Sequence, residues 1–234
     1  MKFFSFKQFR VSDDRSAMKV GTDSVLLGAW IQDKAFENIL DIGCGSGLIS
    51  LMMAQRFENA DVMGIEIDPN SVEDAKFNFE QSNWSSRLKV KEIDIREFNS
   101  VNKYDLVISN PPFFTESLLP PKENRAGARH DFQLSLDDLL VSAVRLLKEN
   151  AVFALVFPYD REEILIEKAS QLNLYPQRIL HTRNKPDAQV KRCFIEFQKK
   201  QTSEVKMEML EIRDYNNEYS SAYKNLTKDF YINF

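Results

Sequence analysis

The residues best suited to chemistry are four consecutive ones, Asn110-Pro111-Pro112-Phe113. They follow an apolar run at 106–108, which predicts a buried strand, and open α/β sheets place ligands at the carboxyl ends of their strands. The side-chain oxygen of Asn110 and the carbonyl of Pro111 can accept both N–H bonds of a planar amino group, while Phe113 can stack on its ring. The prolines carry no N–H and add no competing donor. The tetrapeptide predicts a site for a ring-conjugated amino group, whereas an isolated Asn-Pro-Pro would indicate only a turn.

A glycine-rich loop lies upstream, after the first strand of the predicted core. It begins at Asp41 and has glycines at Gly43, Gly45 and Gly47 before a helix starts. The dinucleotide fingerprint would require glycine or alanine where this chain has Leu48, so no pyrophosphate has to be assumed. The glycines still allow a ligand to lie against the backbone, with helix N–H groups facing an anion such as a carboxylate. We assign Asp41 and the three glycines to a candidate cofactor site.

Acidic residues end the next two predicted strands. Glu66 lies about 20 residues beyond the glycines, where an acid usually holds a ribose diol. Asp68 fits better as the cap of the following helix. Asp94 ends the third strand and could reach an adenine amino group, with Ile95 beside it. Successive strand ends therefore indicate an adenosine-containing cofactor.

Strand-like and helical patterns alternate along the chain, which predicts a largely parallel sheet with helices on both faces. The fold class is α/β: a Rossmann-like, seven-stranded, mostly parallel sheet with an antiparallel edge strand. The short loop at 183–190 leaves no room for a crossover helix, so its flanking strands should pair antiparallel. The predicted strands are 39–42, 61–67, 88–93, 104–109, 151–157, 177–182 and 193–197.

Two segments flank this core at 39–200. Residues 1–38 form a candidate cap or lid, in which Lys19 and Thr22 could cover the methionine end of a cofactor. Equally, Thr22 or Asp23 could simply cap a short helix at 24–30. Residues 201–234 should add a strand and an aromatic tail, and the strand alternates Met207 and Met209 with charges, as a half-buried strand would.

Composition indicates a soluble globular protein. The 234 residues carry a formal charge of −4, which argues against indiscriminate coating of nucleic acid but allows a local basic face. We expect no membrane association, because no apolar run reaches spanning length. Cys44 and Cys193 are far apart and lack metal-ligand spacing, so we expect a cytoplasmic protein without a metal site.

The series of strand ends resembles the Rossmann-like S-adenosylmethionine-dependent methyltransferases, and Asn-Pro-Pro-aromatic is similar to the signature of those that methylate planar amino nitrogens. Further segments resemble one family, the bacterial tRNA1(Val) (adenine-37-N6)-methyltransferases, over residues 6–234. These segments are 6–9, 18–23, 27–30, 109–114, 128–130 and 229–231. The resemblance implies S-adenosyl-L-methionine as cofactor and an anticodon-loop adenine of tRNA as substrate, with no DNA partner. Asn110, Pro111 and Phe113 would be catalytic, and Asn110 would also border the cofactor.

A candidate RNA face combines two basic regions. One follows the Pro-Pro-Phe loop and must border the active site if Asn110 is catalytic, although charged loops are often only solvated. The other is the hairpin at 178–200, the clearest basic stripe in the chain. We expect RNA contacts from Phe114, Lys122, Arg125, Arg129, His130, Arg183, Lys185, Lys191 and Arg192.

Other functions remain open. A methyltransferase for guanine N2 or a protein glutamine amide would share the Asn-Pro-Pro-aromatic chemistry, but a protein substrate would not require the basic hairpin. A nicotinamide oxidoreductase is disfavoured by Leu48. A non-catalytic RNA-binding protein would leave Asn110 unexplained. The residues do not determine the oligomeric state.

Overall fold

The computed structural model describes residues 2–112 and 134–234. The strands are β1 (Phe3–Ser5), β2 (Arg10–Ser12), β3 (Asn38–Ile42), β4 (Asp61–Glu66), β5 (Leu88–Glu92), β6 (Tyr104–Ser109), β7 (Leu147–Pro158), β8 (Tyr175–Arg183), β9 (Arg192–Gln198) and β10 (Lys206–Glu211). The helices are α1 (Thr22–Trp30), α2 (Leu48–Arg56), α3 (Pro69–Glu80), α4 (Leu136–Leu146), α5 (Glu162–Gln171) and α6 (Ser221–Thr227).

The main sheet has the order β10-β8-β9-β7-β6-β3-β4-β5. Strand β9 runs antiparallel to both β7 and β8, and every other neighbouring pair in this sheet is parallel. The predicted mostly parallel α/β sheet is confirmed. It has eight strands, one more than expected, because β10 pairs with β8 and extends the sheet beyond the antiparallel strand.

The orientation of strand β10 differs from the prediction, in which its methionines faced the protein and its charged residues faced the solvent. Met207 and Met209 are exposed, whereas Glu208 faces the protein and accepts a hydrogen bond from Trp30 Nε1 at 2.8 Å. Arg178 Nη2 lies 3.3 Å from the same carboxylate. A buried partner therefore determines the orientation of this strand, against the hydrophobicity of its side chains.

Helices cover both faces of the sheet, because β3, β6 and β7 are apolar on both sides. Leu26 of α1 and Leu51 of α2 pack on one face, and Leu139 of α4 and Leu165 of α5 pack on the other. No helix in the described ranges is long and apolar enough to cross a membrane.

The N- and C-terminal segments contact each other outside the main sheet. β1 and β2 form an antiparallel hairpin. The N–H of Lys7 donates to the carbonyl of Phe230 at 2.8 Å, and the rings of Phe6 and Tyr231 stack at 5.8 Å. Aromatic burial thus joins two segments that are distant in sequence.

Helix α1 is attached to the sheet at its carboxyl end by a buried charge. Glu196 of β9 is fully buried, accepts from the N–H of Gln32 at 2.9 Å and pairs with Arg178 at 3.1 Å. The guanidinium of Arg178 also lies 4.5 Å from the Trp30 ring centroid. Burial raises the pKa of Glu196, and the guanidinium opposes that shift.

Replacing Arg178 should therefore be costly. Arg178→Met leaves the Glu196 carboxylate buried without its cation, so we expect the free energy of unfolding in urea to fall by about 3–5 kcal/mol. Adding Glu196→Gln removes the unpaired charge and should recover much of the loss. A change below about 1 kcal/mol, as for a surface ion pair, would contradict this prediction.

Candidate functional site

A cleft of about 260 Å³ opens at the carboxyl ends of β3, β4 and β5, where the sequence placed the cofactor. It contains five of the predicted cofactor residues: Gly43, Gly45, Glu66, Asp94 and Ile95. The remaining lining residues are Ala17, Met18, Ile42, Ile65, Ile67, Asp68, Ser71, Ile93, Pro112 and Leu134. The structure therefore brings the glycine loop and both predicted acids into one cavity.

The glycine loop uses backbone conformations that favour glycine. Gly43, Gly45 and Gly47 have φ values of 68°, 55° and 83°. Gly47 precedes α2, and a Cβ there would collide with the ring of Phe79. The space around Gly43 and Gly45 is open, so at these two positions conformation, and not crowding, requires glycine.

Glu66 holds this loop in place. Its Oε2 accepts from Gly45 N at 2.9 Å, and its Oε1 accepts from the N–H groups of Ile67 and Asp68 at 2.8 and 3.0 Å. A carboxylate offers about four acceptor positions, so three backbone donors leave room for one more. Glu66 has a structural role that its place in the sequence pattern did not reveal.

Asp94 is kept ionised by a neighbouring arginine. Its two oxygens lie 3.0 and 2.9 Å from Nε of Arg96, and one oxygen lies 2.5 Å from Nη2. These hydrogen bonds lower the pKa of Asp94. Asp94 thus lines the cleft as a charged acceptor.

Helix α3 supplies two buried side chains that the sequence analysis did not identify. Asp74 accepts from the N–H groups of Arg15 and Ser16 at 2.9 and 2.8 Å. Asn78 donates to the carbonyls of Ser12 and Ser46 at 2.8 Å each. These contacts bring Ala17 and Met18 to the cleft and tie the glycine loop to α3. The signal in the sequence is a pair of polar residues, four apart, among the apolar positions of the helix.

Asn110 lies directly after the carboxyl end of β6. Ile42 and Ser109 are register partners on β3 and β6, so Asn110 follows β6 beside the start of the glycine loop. Its Nδ2 donates to Ser24 Oγ at 2.8 Å. Its Oδ1 is buried and has no hydrogen-bond partner within residues 2–112 and 134–234. Pro112, two residues on, lines the cleft.

Two predicted cofactor residues lie outside the cleft lining at the N-terminal segment. The ammonium of Lys19 donates to the carbonyls of Asp13 and Ser16, the latter at 3.0 Å. Thr22 is exposed in the first turn of α1 and borders a separate cavity formed with Phe4 and Phe234. The expected side-chain cap is absent from this helix, because its N-cap is Gly21.

Asp41 lies beneath the glycine loop and is fully buried. Its Oδ2 accepts from Ser50 Oγ at 2.7 Å, and its Oδ1 has no partner in the described part of the chain. Burial raises its pKa to about 7. It supports the loop from below and does not line the cleft.

The predicted RNA residues divide between the two regions. Of these, Phe114, Lys122, Arg125, Arg129 and His130 lie outside the described residues, as does Phe113, which was predicted to be catalytic. On the hairpin, Arg183 pairs with Glu211 at 2.7 Å and Arg192 pairs with Asp23 at 2.8 Å. Lys185 is half-buried and Lys191 is exposed in the loop between β8 and β9. This loop lies at the same edge of the sheet as Asn110, because β8 runs parallel to β6.

Comparisons with known proteins identify the family of this chain. The methyltransferase small domain family matches residues 15–157. A relative from Phocaeicola vulgatus, named tRNA1(Val) (adenine(37)-N6)-methyltransferase, is 45% identical over 99% of this chain and 98% of its own length. The protein of that name from Trichodesmium erythraeum is 42% identical over the same shares of both chains. The chain belongs to the tRNA1(Val) (adenine(37)-N6)-methyltransferase family.

Solved structures of more distant proteins share the fold of this family member. A predicted O-methyltransferase from Agrobacterium tumefaciens superposes with a TM-score of 0.68 at 17% identity, covering 89% of this chain and 96% of its own. TYW2 from Pyrococcus horikoshii gives 0.61 at 14% identity, covering 84% and 70%. Both support the Rossmann-like methyltransferase fold.

The buried Asp41 should make the stability of this methyltransferase depend on pH. The pKa of a freely solvated Asp carboxyl is 3.8, and burial raises that of Asp41 in the folded protein to about 7, so the folded state binds the proton more tightly. The stabilisation of the folded state by protonated Asp41 is fully present below about pH 4 and is lost as the pH rises to about 7. Urea unfolding of Asp41→Asn should lack this dependence, and the difference from the parent should change by on the order of 4 kcal/mol.

Asp61→Asn provides the matched control, since Asp61 is exposed and lies at the amino end of β4, away from the glycine loop. Its stability should follow the parent curve. If the Asp41→Asn and parent curves stay parallel from pH 4 to 7, Asp41 is ionised in the folded protein and the argument fails.

Proposed function

We propose that this protein transfers a methyl group from S-adenosyl-L-methionine to the N6 amino group of adenine 37 in tRNA1(Val). The observation that carries the proposal is the amide of Asn110. Its nitrogen is engaged by Ser24, and its oxygen is buried without a partner in the described ranges, beside the glycine loop. An amino group with two N–H donors is the complement of such an acceptor.

The cleft residues fit the cofactor. Glu66 retains acceptor capacity for one hydroxyl of a ribose diol, and Asp94 and Ile95, which line the same cleft, are proposed to contact the adenine end. The backbone of Gly43 and Gly45 has open space against which a ligand can lie. The start of α2 presents helix N–H groups suited to a carboxylate. When bound, S-adenosylmethionine supplies an electrophilic methyl group on a sulfonium.

Asn110 and its neighbours act on the acceptor nitrogen. The lone pair of an aromatic amine is delocalised into its ring, which makes the nitrogen a poor nucleophile. Asn110 Oδ1 and the Pro111 carbonyl accept its two N–H bonds, and these bonds strengthen as the nitrogen pyramidalises. Positioning and preorganised acceptors thus supply the rate, and no covalent intermediate on the protein is required.

An unpaired loop adenine suits this site. Chemistry on a base requires its removal from the stack, and the cost is lowest for a base that is already unpaired. Phe113 is proposed to stack on the adenine. Phosphates of the loop are proposed to meet Lys185, Lys191 and Arg183 on the β8–β9 hairpin, together with Lys122, Arg125, Arg129 and His130, whereas Phe114 is proposed to stack on a base. Cys44 and Cys193 are free thiols, which fits the reducing cytoplasm in which we place this reaction.

Glu66→Ala should weaken binding of S-adenosylmethionine by about 1–3 kcal/mol, because the ribose loses a charged acceptor and the Gly45 N–H loses its partner. Isothermal calorimetry measures the change. The matched control is Glu80→Ala, since Glu80 is exposed at the end of α3 and should bind as the parent does. Unchanged affinity in a folded Glu66→Ala protein would remove Glu66 from the cofactor site.

Asn110→Ala should lower kcat roughly 10²-fold or more, while the dissociation constants of S-adenosylmethionine and tRNA stay close to the parent values. The acceptor matters most in the transition state, so its loss falls on turnover. Asn102→Ala, in an exposed loop, is the control.

Mass spectrometry of tRNA nucleosides after reaction with labelled S-adenosylmethionine decides the chemistry. Label on adenosine N6 supports the proposal. Label on guanosine N2, or on protein in an RNase-resistant reaction, overturns it. An Asn110→Ala protein with most of its turnover would show that Asn-Pro-Pro-Phe is only a turn.

A further inference from the structure

The first turn of α1 contacts the sheet through two adjacent side chains. Ser24 Oγ accepts from Asn110 Nδ2 at 2.8 Å, at the end of β6. Asp23 Oδ2 accepts from Arg192 Nε at 2.8 Å, at the start of β9. Since β7 lies between β9 and β6, this turn bridges two positions that are two strands apart.

Orientation is the critical property of the Asn110 amide. The two ends of the amide have nearly the same shape but opposite hydrogen-bonding character. If the amide turned by 180°, two N–H donors would face the N–H donors of the substrate amino group. The hydroxyl oxygen of Ser24 accepts from Nδ2, and Oδ1 is the end without a partner in the described part of the chain. A hydroxyl can also donate, so the N–H donors of the substrate amino group favour this orientation of the amide, and Ser24 supplies the acceptor that Nδ2 then needs.

The residue before Ser24 forms an ion pair with β9. Both Asp23 and Arg192 are about 30% exposed, so their hydrogen bond is partly shielded from water. An acid in the first turn of a helix is also favoured by the helix dipole. At the other end of the helix, Glu196 of the same strand β9 accepts from Gln32 N. Strand β9 therefore holds α1 at both ends.

We propose that Ser24 is a positioning residue that presents the Asn110 oxygen to the substrate amino nitrogen, and that the Asp23–Arg192 ion pair positions the turn that carries Ser24. This inference rests on the proposed function for its kinetic consequence. It also gives Arg192 a role different from the RNA contact expected from the basic stripe.

The hydroxyl is tested by Ser24→Ala, with Ser24→Thr as the conservative variant. We expect Ser24→Ala to lower kcat about 10-fold, with KM for tRNA and for S-adenosylmethionine within twofold of the parent, and Ser24→Thr to restore most of the rate. Ser170→Ala, at the end of α5, is the matched control. An unchanged kcat in folded Ser24→Ala, or a loss carried by KM, would overturn the proposal.

The ion pair is tested by a double-mutant cycle. Asp23→Ala and Arg192→Ala should each lower kcat by a similar factor, and the double variant should be no worse than either single variant. The tRNA dissociation constant and its salt slope should stay unchanged in both. If Arg192 instead contacts phosphate, Arg192→Ala reduces the salt slope by about 1 while Asp23→Ala retains full turnover. Lys168→Ala removes a cation from another ion pair, on α5, and serves as the control.

A substrate-free measurement separates this inference from the proposed function. In the ¹⁵N-labelled parent protein, one side-chain amide proton of Asn110 should be protected from exchange, and Ser24→Ala should abolish the protection. Loss of protection with methyl label on another amino nitrogen would retain the positioning role and refute the adenine acceptor. Identical amide exchange in parent and Ser24→Ala would refute the positioning role, whatever the methyl acceptor.

Discussion

The site depends on how the chain satisfies backbone N–H groups where parallel strands end. Beyond the last pair of a ladder these donors have no strand partner, and leaving them buried is costly. Glu66 accepts three of them, from Gly45, Ile67 and Asp68. One carboxylate thereby joins the end of β4 to the glycine loop after β3. These hydrogen bonds hold the irregular backbone around the cleft in its conformation.

The same principle organises the N-terminal segment. Asp74 and Asn78 are buried on α3, and their hydrogen bonds go to backbone groups of Ser12, Arg15, Ser16 and Ser46. The segment does not need regular structure of its own at Ala17 and Met18 to form a wall of the cleft. Hydrogen bonds from buried polar side chains of α3 hold the backbone of this segment, as the ladder of a sheet would hold a strand.

Local signals in the sequence predicted the glycine loop and the acids at the strand ends. Glycines with positive φ and acids at strand ends act through neighbours a few residues away or on adjacent strands, so their spacing carries the information. Arg192 and Asp23 are 169 residues apart, and only the sheet order brings them together. For the same reason the hairpin appeared more basic in sequence than it is in space. Arg183 and Arg192 lie against Glu211 and Asp23, which a count of charges along the hairpin cannot include.

Strand β10 shows why the face of a strand cannot always be deduced from alternation. Its methionines would gain by burial, but the position beside α1 already contains Arg178 and the indole N–H of Trp30. Placing Met209 there would leave both donors without Glu208, and an unsatisfied buried donor costs about as much as a buried apolar side chain gains. The polar face therefore turns inward, and the same choice fixes the carboxyl end of α1. Because α1 carries Ser24 in its first turn, a polar network at the far edge of the sheet contributes to the geometry around Asn110.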